Sequence, residues 1–185
     1  SSLHTVGQVA KEAIDASRKK IADILGCAPE EVFFTSCGTE SDNWAIKGTV
    51  GAKIKDGKKH IITTKIEHHA VLHTCEALAK QGCEVTYLDV DKYGKVNPAD
   101  VEKAIRPDTA IVAVMYANNE VGTIEPVKEI ADICRAHGVT FFTDAVQAAG
   151  ALSINVKEIG CDMLSASGHK LHAPKGIGIL YVKKG

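Results

Sequence analysis

This sequence predicts a three-layer α/β protein, in which a mostly parallel sheet of about seven strands lies between helices and one strand is antiparallel to the rest. Three observations carry that prediction. Short runs rich in Val, Ile and Phe alternate with longer amphipathic stretches along the chain, the pattern of a layered βα fold. The short runs are apolar enough to suit strands covered on both faces. The final run, Ile177–Val182, follows Lys170 after only a short Pro-Gly connection. A crossover to a parallel strand needs about a dozen residues or more, so this last strand is expected to be the antiparallel one.

Taken in order, residues 5–25 read as a helix, with Val6, Val9, Ala13, Ile14, Ile21 and Ile24 near one face. Glu31–Thr35 reads as a strand. Thr39–Lys55 reads as a helix whose entry, Thr39-Glu-Ser-Asp42, looks like a capping box with Asp in the acidic position. His60–Thr64 is a strand and His69–Lys80 a helix. Glu84–Val90 is a strand and Pro98–Ile105 a helix. Ala110–Ala117 is a strand, and Pro126–His137 a helix with Pro near its first turn. Thr140–Asp144, Asp162–Ala166 and Ile177–Val182 complete the strands. There is no long linker, internal repeat or low-complexity segment, so residues 1–185 are expected to form one sheet domain.

Composition narrows the function classes. Lys and Arg total 22 against 23 Asp and Glu, so no basic face for nucleic acid or for an anionic membrane surface is expected. No apolar run approaches membrane-spanning length. Cys27, Cys37, Cys75, Cys83, Cys134 and Cys161 contain no CxxC pair and read as reduced thiols of a cytoplasmic protein. The chain starts at Ser1, so the lack of a targeting segment weighs little.

In open α/β sheets, ligands sit beyond the carboxyl ends of the strands. Four polar clusters are expected there. Ser36-Cys-Gly-Thr-Glu40 joins a strand to a helix, where free N–H groups and the helix dipole favour an anion. Gly38 would allow close approach and Thr39 would add a hydroxyl. Glu67-His68-His69 places a histidine where it can stack on a flat ring or move protons. Asn118-Asn119-Glu120 offers amides. Asp144-Ala-Val-Gln147 pairs with Ser167-Gly-His-Lys170. Each cluster alone has a plain structural alternative: a capped helix, a surface loop, an Asx turn, a solvated lysine. His69 and His73 are spaced like a zinc pair, but no third ligand follows at a suitable spacing, and no metal is expected.

The fourth cluster has a chemical logic of its own. A lysine and an aspartate at neighbouring strand ends are what pyridoxal 5'-phosphate requires. The lysine binds the aldehyde carbon, and the aspartate partners the protonated ring nitrogen, which also compensates an otherwise costly buried carboxylate. Competing site classes lack their signatures. The chain has no GxGxxG after a strand, no GxxxxGK[ST] and no GxSxG elbow.

The segments FTSCGTESDNWAIKG, TTKIEHHAVL, YANNEVGTIEPV, TDAVQAAG and SASGHKLHAPKGIGILYV, in this order, closely resemble the NifS/IscS-type cysteine desulfurases. These belong to the class V aminotransferase group of fold-type I pyridoxal phosphate enzymes. The resemblance implies that Lys170 holds the cofactor covalently and that His68 stacks on its ring and moves protons. It implies that Asp144 pairs with the ring nitrogen, with Gln147 and Asn119 near the phenolic oxygen. Gly38, Thr39, Ser167 and His169 would hold the phosphate. The sequence departs from the family at Cys37, where glycine is usual, and at Ala173, where GPKG is usual. Cys37 is expected to be structural, since little beside it but the helix end would lower its pKa.

The resemblance further implies that residues 1–185 are the cofactor-binding large domain, with an N-terminal segment and a smaller C-terminal domain lying outside it. That smaller domain holds the family's cysteine nucleophile, and none of the six cysteines here matches the nucleophile's motif. The implied reaction converts L-cysteine to L-alanine and passes sulfur as a persulfide to an iron–sulfur scaffold or another acceptor, in a cytoplasmic homodimer. Selenocysteine lyase, another class V aminotransferase or a non-catalytic interaction module are the alternatives.

Overall fold

The computed structural model describes residues 4–184. Seven strands form one sheet: β1 (Val32–Thr35), β2 (His60–Thr64), β3 (Glu84–Leu88), β4 (Thr109–Ala113), β5 (Thr140–Asp144), β6 (Met163–Ser167) and β7 (Gly178–Val182). Six α-helices accompany them, α1 (Thr5–Leu25) ahead of the first strand and α2 (Gly38–Lys53), α3 (His69–Ala79), α4 (Pro98–Ala104), α5 (Val127–Ala136) and α6 (Val156–Ile159) between strands. The spatial order is β1-β7-β6-β5-β4-β2-β3. Strands β2 to β6 are mutually parallel. β7 runs antiparallel to both of its neighbours, β1 and β6, as the short connection after Lys170 requires.

β2, β4 and β6 are buried at every position, because both faces of the sheet are covered. On one face Ile61, Ile111 and Phe142 pack with Ala45, Ile46 and Val50 of α2 and Val71 and Leu78 of α3. On the other, Val112, Phe141 and Leu164 pack with Val101 of α4, Ile130 and Cys134 of α5 and Val156 of α6. Burial on both faces removes the strict period of two from the sequence and leaves continuous apolar runs.

Three local expectations need correction. The strand expected over Ala110–Ala117 ends at Ala113. The chain continues beside β5, with Val114 and Tyr116 N–H donating to Phe142 and Asp144 carbonyls, before it turns away. The helix expected from Thr39 begins at Gly38, and its N-cap is Cys37, which makes no side-chain cap bond. The supposed capping box is therefore absent, and the Asp42 carboxylate lies in the interior instead. Helix α6, four residues long, is too short for periodicity to register. No helix among the described residues is long and apolar enough to cross a membrane.

Candidate active site

The connections leaving β1, β2, β4, β5 and β6 meet in one cleft beyond the carboxyl ends of the strands. Its walls hold all the sequence-predicted site residues: Gly38, Thr39, His68, Asn119, Asp144, Gln147, Ser167, His169 and Lys170. β1 lies at the edge of the sheet, so its contribution arrives through α2, which packs on the same face as the apolar residues of β2, β4, β5 and β7.

The start of α2 is held tightly. Ser41 is fully buried, and its hydroxyl donates to the Ile179 carbonyl at 2.9 Å and meets Thr35 Oγ1 at 2.8 Å. A Cβ on Gly178 would stand 2.6 Å from the Cys37 carbonyl carbon, and one on Gly38 would stand 2.6 Å from Val146 Cγ2. Gly178 needs glycine because the Cys37 backbone lies against it, and Gly38 because the Val146 side chain does. The first-turn N–H groups of α2 have no intrahelical acceptor, and they open onto the cleft at the positive end of a 16-residue helix. Cys37 itself has φ −172° and ψ 172°, extended backbone that any residue adopts, so the departure from glycine there costs no strain. Ala173 is likewise outside the left-handed region, which His172 occupies at φ 59°.

His68 is the N-cap of α3. Its Nδ1 accepts the Ala70 N–H at 3.1 Å, so in the neutral ring the proton sits on Nε2. Lys170 lies in a 3-10 turn, Gly168–Leu171, that directly follows β6. Its ammonium makes no ion pair among the described residues. Ser167 Oγ and His169 Nδ1 are 2.8 Å apart.

The floor is acidic and buried. Asp144, the last residue of β5, is 5 % exposed. Its Oδ1 accepts the Val146 N–H at 2.8 Å and lies 3.5 Å from Ser165 Oγ; its other oxygen has no protein donor among the described residues. Burial raises its pKa, opposed by the Val146 N–H, by the field of His68 and by Ser165. Asp42 is 2 % exposed. Burial and then the neighbouring Asp144 charge hold its pKa well above the usual carboxyl range. Glu67 Oε1 accepts from Thr64 Oγ1 at 2.7 Å and from the Met115 N–H at 3.0 Å, while Oε2 is buried without a partner. Burial pushes its pKa up to about 8.

Sequence reasoning missed Asp42, and it gave Glu67 no separate role. A signal existed for Asp42. It sits three and four residues before the apolar pair Ala45 and Ile46, on the buried face of α2. The Asn118-Asn119 cluster divides between its two readings. Asn118 forms an Asx turn, its Oδ1 accepting the N–H groups of Glu120 and Val121 while its amide donates to the Ile66 carbonyl. Asn119 faces the cleft. The rings of His69 and His73 stack at 5.1 Å, and no group of three or more metal-ligating side chains is assembled among the described residues.

A curated relative, the cysteine desulfurase IscS of Methanosarcina thermophila, is 56 % identical over 185 residues, covering all of this chain and 46 % of the relative. Among solved structures, one described as SspA in complex with cysteine superposes with a TM-score of 0.94 at 44 % identity, covering 97 % of this chain and 51 % of the other. A NifS-like protein gives a TM-score of 0.94 at 43 % identity, covering 98 % and 50 %. The chain thus spans about half the length of the curated relatives it matches. The family model described as Aminotransferase class-V matches residues 1–185 from end to end, and the chain belongs to the class-V aminotransferase family.

Proposed function

We propose that this chain is the cofactor-binding portion of a pyridoxal 5'-phosphate-dependent cysteine desulfurase. The reading rests chiefly on the convergence of Lys170, Asp144 and His68 on one cleft. The relatives named as cysteine desulfurases support the substrate, L-cysteine.

The donor set fits the cofactor. Asp144 keeps one carboxylate oxygen free of protein donors at a buried position, which suits a protonated ring nitrogen. A side chain at Gly38 would fill the close approach at the helix start, which suits a phosphate on backbone N–H groups. When bound, pyridoxal phosphate supplies an electron sink for the bond-breaking at the substrate α-carbon. Lys170 Nζ would anchor the cofactor covalently, and its amine could take and return a proton at the substrate α-carbon. Asp144 would hold a proton on the ring nitrogen. His68, which lines the cleft, has its neutral tautomer set by the Ala70 N–H, with the proton on Nε2. Thr39, Ser167 and His169 complete the phosphate end, and Asn119 and Gln147 the phenolic edge.

The sulfur-accepting thiol lies outside this chain in our reading, because none of the six cysteines matches the family nucleophile's motif; Cys75, Cys134 and Cys161 are in addition buried, with pKa pushed up to about 12 by desolvation. A homodimer, a cytoplasmic location and an iron–sulfur scaffold as acceptor belong to the same proposal. Exposed Val6, Val9 and Ile14 on α1 support the assembly. The test is addition of pyridoxal phosphate to the 185-residue chain. The expected outcome is a yellow, borohydride-reducible adduct mapping to Lys170 and absent in Lys170→Ala. The same adduct from Lys170→Ala would remove Lys170 from its role. Sustained sulfur release from L-cysteine by this chain alone would overturn the external thiol.

A further inference from the structure

Beneath the cleft, two carboxylates share one hydroxyl. Ser165 stands across the β5/β6 ladder from Asp144. Its Oγ is 2.6 Å from Asp42 Oδ1 and 3.5 Å from Asp144 Oδ1. Ser165 is fully buried, and Asp42 and Asp144 are nearly so. A hydroxyl carries one proton and can donate to only one acceptor at a time. Its direction therefore depends on which carboxyl holds a proton.

We propose that Asp42 is a positioning residue: protonated, it donates to Ser165 Oγ and turns the Ser165 hydroxyl toward Asp144, keeping Asp144 ionised for the cofactor's ring nitrogen. The proposal deepens the pyridoxal phosphate reading and rests on it for the purpose of the relay. The argument is one of charge accounting. No lysine or arginine pairs with either carboxylate among the described residues, and two ionised carboxylates around one buried hydroxyl are prohibitive. One must hold a proton. Asp144 accepts a backbone N–H, feels the His68 ring and keeps an oxygen toward the cleft. Asp42 also lines the cleft, but Ser165 is its one hydrogen-bond partner among the described residues, and no backbone N–H reaches it there. The other groups facing Asp42 are Glu67 and Cys37, and each can only add negative charge. The proton belongs on Asp42.

With Asp42 ionised instead, Ser165 would donate to it, and Asp144 would lose a donor and gain a like charge. The protonated state is thus the one that favours a charged Asp144. The chain Asp42–Ser165–Asp144 links α2, β6 and β5, so the element that presents the anion site also sets the charge at the ring-nitrogen site.

The experiment is infrared spectroscopy of the 185-residue chain near pH 7, without cofactor, comparing the parent with Asp42→Asn and, to subtract two further buried acids, Glu67→Gln and Glu125→Gln. Loss of a carboxylic-acid C=O band in Asp42→Asn is expected. Loss of carboxylate intensity only would overturn the proposal. This readout needs no cofactor, so failure of pyridoxal phosphate to bind would sink the reading of the cleft while leaving the protonation of Asp42 decided. A second arm measures pyridoxal phosphate dissociation by absorbance titration. Asn at position 42 can still donate to Ser165 and Ala cannot. Asp42→Ala and Ser165→Ala are expected to weaken binding about tenfold, and Asp42→Asn to stay within about threefold of the parent. Equal losses in Asp42→Asn and Asp42→Ala, or no loss in any variant, would overturn the relay.

Discussion

At the amino ends of the strands, polar groups from the interior out to the surface close on each other, whereas at the carboxyl ends of the same sheet several buried ones are left open. His60, 1 % exposed, bridges Thr109 Oγ1 and Thr86 Oγ1 at 2.9 Å each. Arg106 spans Asp108 and Glu84. Asp162 accepts the Phe141 N–H and faces Lys183. At the other end, among the described residues, Glu67 Oε2 has no partner, one Asp144 oxygen lacks a protein donor, and the first turn of α2 has no side-chain cap. Polar burial is costly unless satisfied. A fold that satisfies it at one end and leaves it open at the other keeps the open groups for something that binds there. The difference teaches that the two ends have different jobs: the amino ends hold the sheet together, and the carboxyl ends carry the open groups on which the proposed cofactor site rests.

Substitutions can break this contrast in graded ways. The largest effect is expected from Asp144→Asn. Removing a buried charge-assisted contact should weaken pyridoxal phosphate binding by about 10- to 100-fold, while the melting temperature of the cofactor-free chain does not fall, because burial already disfavours the ionised carboxylate. A fall in both would make Asp144 a structural residue like those at the opposite end. Gly38→Ala comes next. The added Cβ would meet Val146 Cγ2 at 2.6 Å, and the forced shift should cost about 1–3 kcal/mol and displace the helix start. Urea unfolding and cofactor titration together check it, and both should suffer.

The pH dependence should have opposite signs at the two ends. Glu67 binds its proton more tightly folded than unfolded, its pKa rising from 4.5 to about 8. Its contribution to stability is therefore lost as pH climbs through that interval. Glu67→Gln should flatten a stability profile taken by urea unfolding between pH 4.5 and about 8. His60 is shifted the other way, its pKa lowered by burial and then by Arg106. The unfolded chain takes up its proton below about pH 6.5 and the folded chain resists, so stability falls on acidification. His60→Gln should remove that acid slope, cost about 1–2 kcal/mol from the lost hydrogen bonds, and leave pyridoxal phosphate affinity unchanged. This is the smallest effect on the cleft, and a change in affinity there would erase the division between the two ends.

Much of the site could be read before any coordinates. Asp144 closes an apolar run, Lys170 follows one, and each then falls at a strand end. His68 also stood out, two residues before a buried helical face. The errors came where local chemistry has two readings. Thr39-Glu-Ser-Asp42 has the letters of a capping box, but the helix starts one residue earlier and Asp42 turns inward. Asn118 and Asn119 are alike in sequence, yet one closes a turn and the other faces the cleft.

By itself the sequence determines the alternation of strands and helices, the reversal of the final strand and the residues that stand at strand ends. These follow from spacing, apolar patterning and the length of a connection, all of which are local. Only the tertiary structure decides that α2 carries its first turn from an edge strand to the middle of the sheet, and that Asp42 meets a serine 123 residues away. Which carboxyl is charged depends on water excluded and neighbours gathered by packing, and no window of sequence contains either.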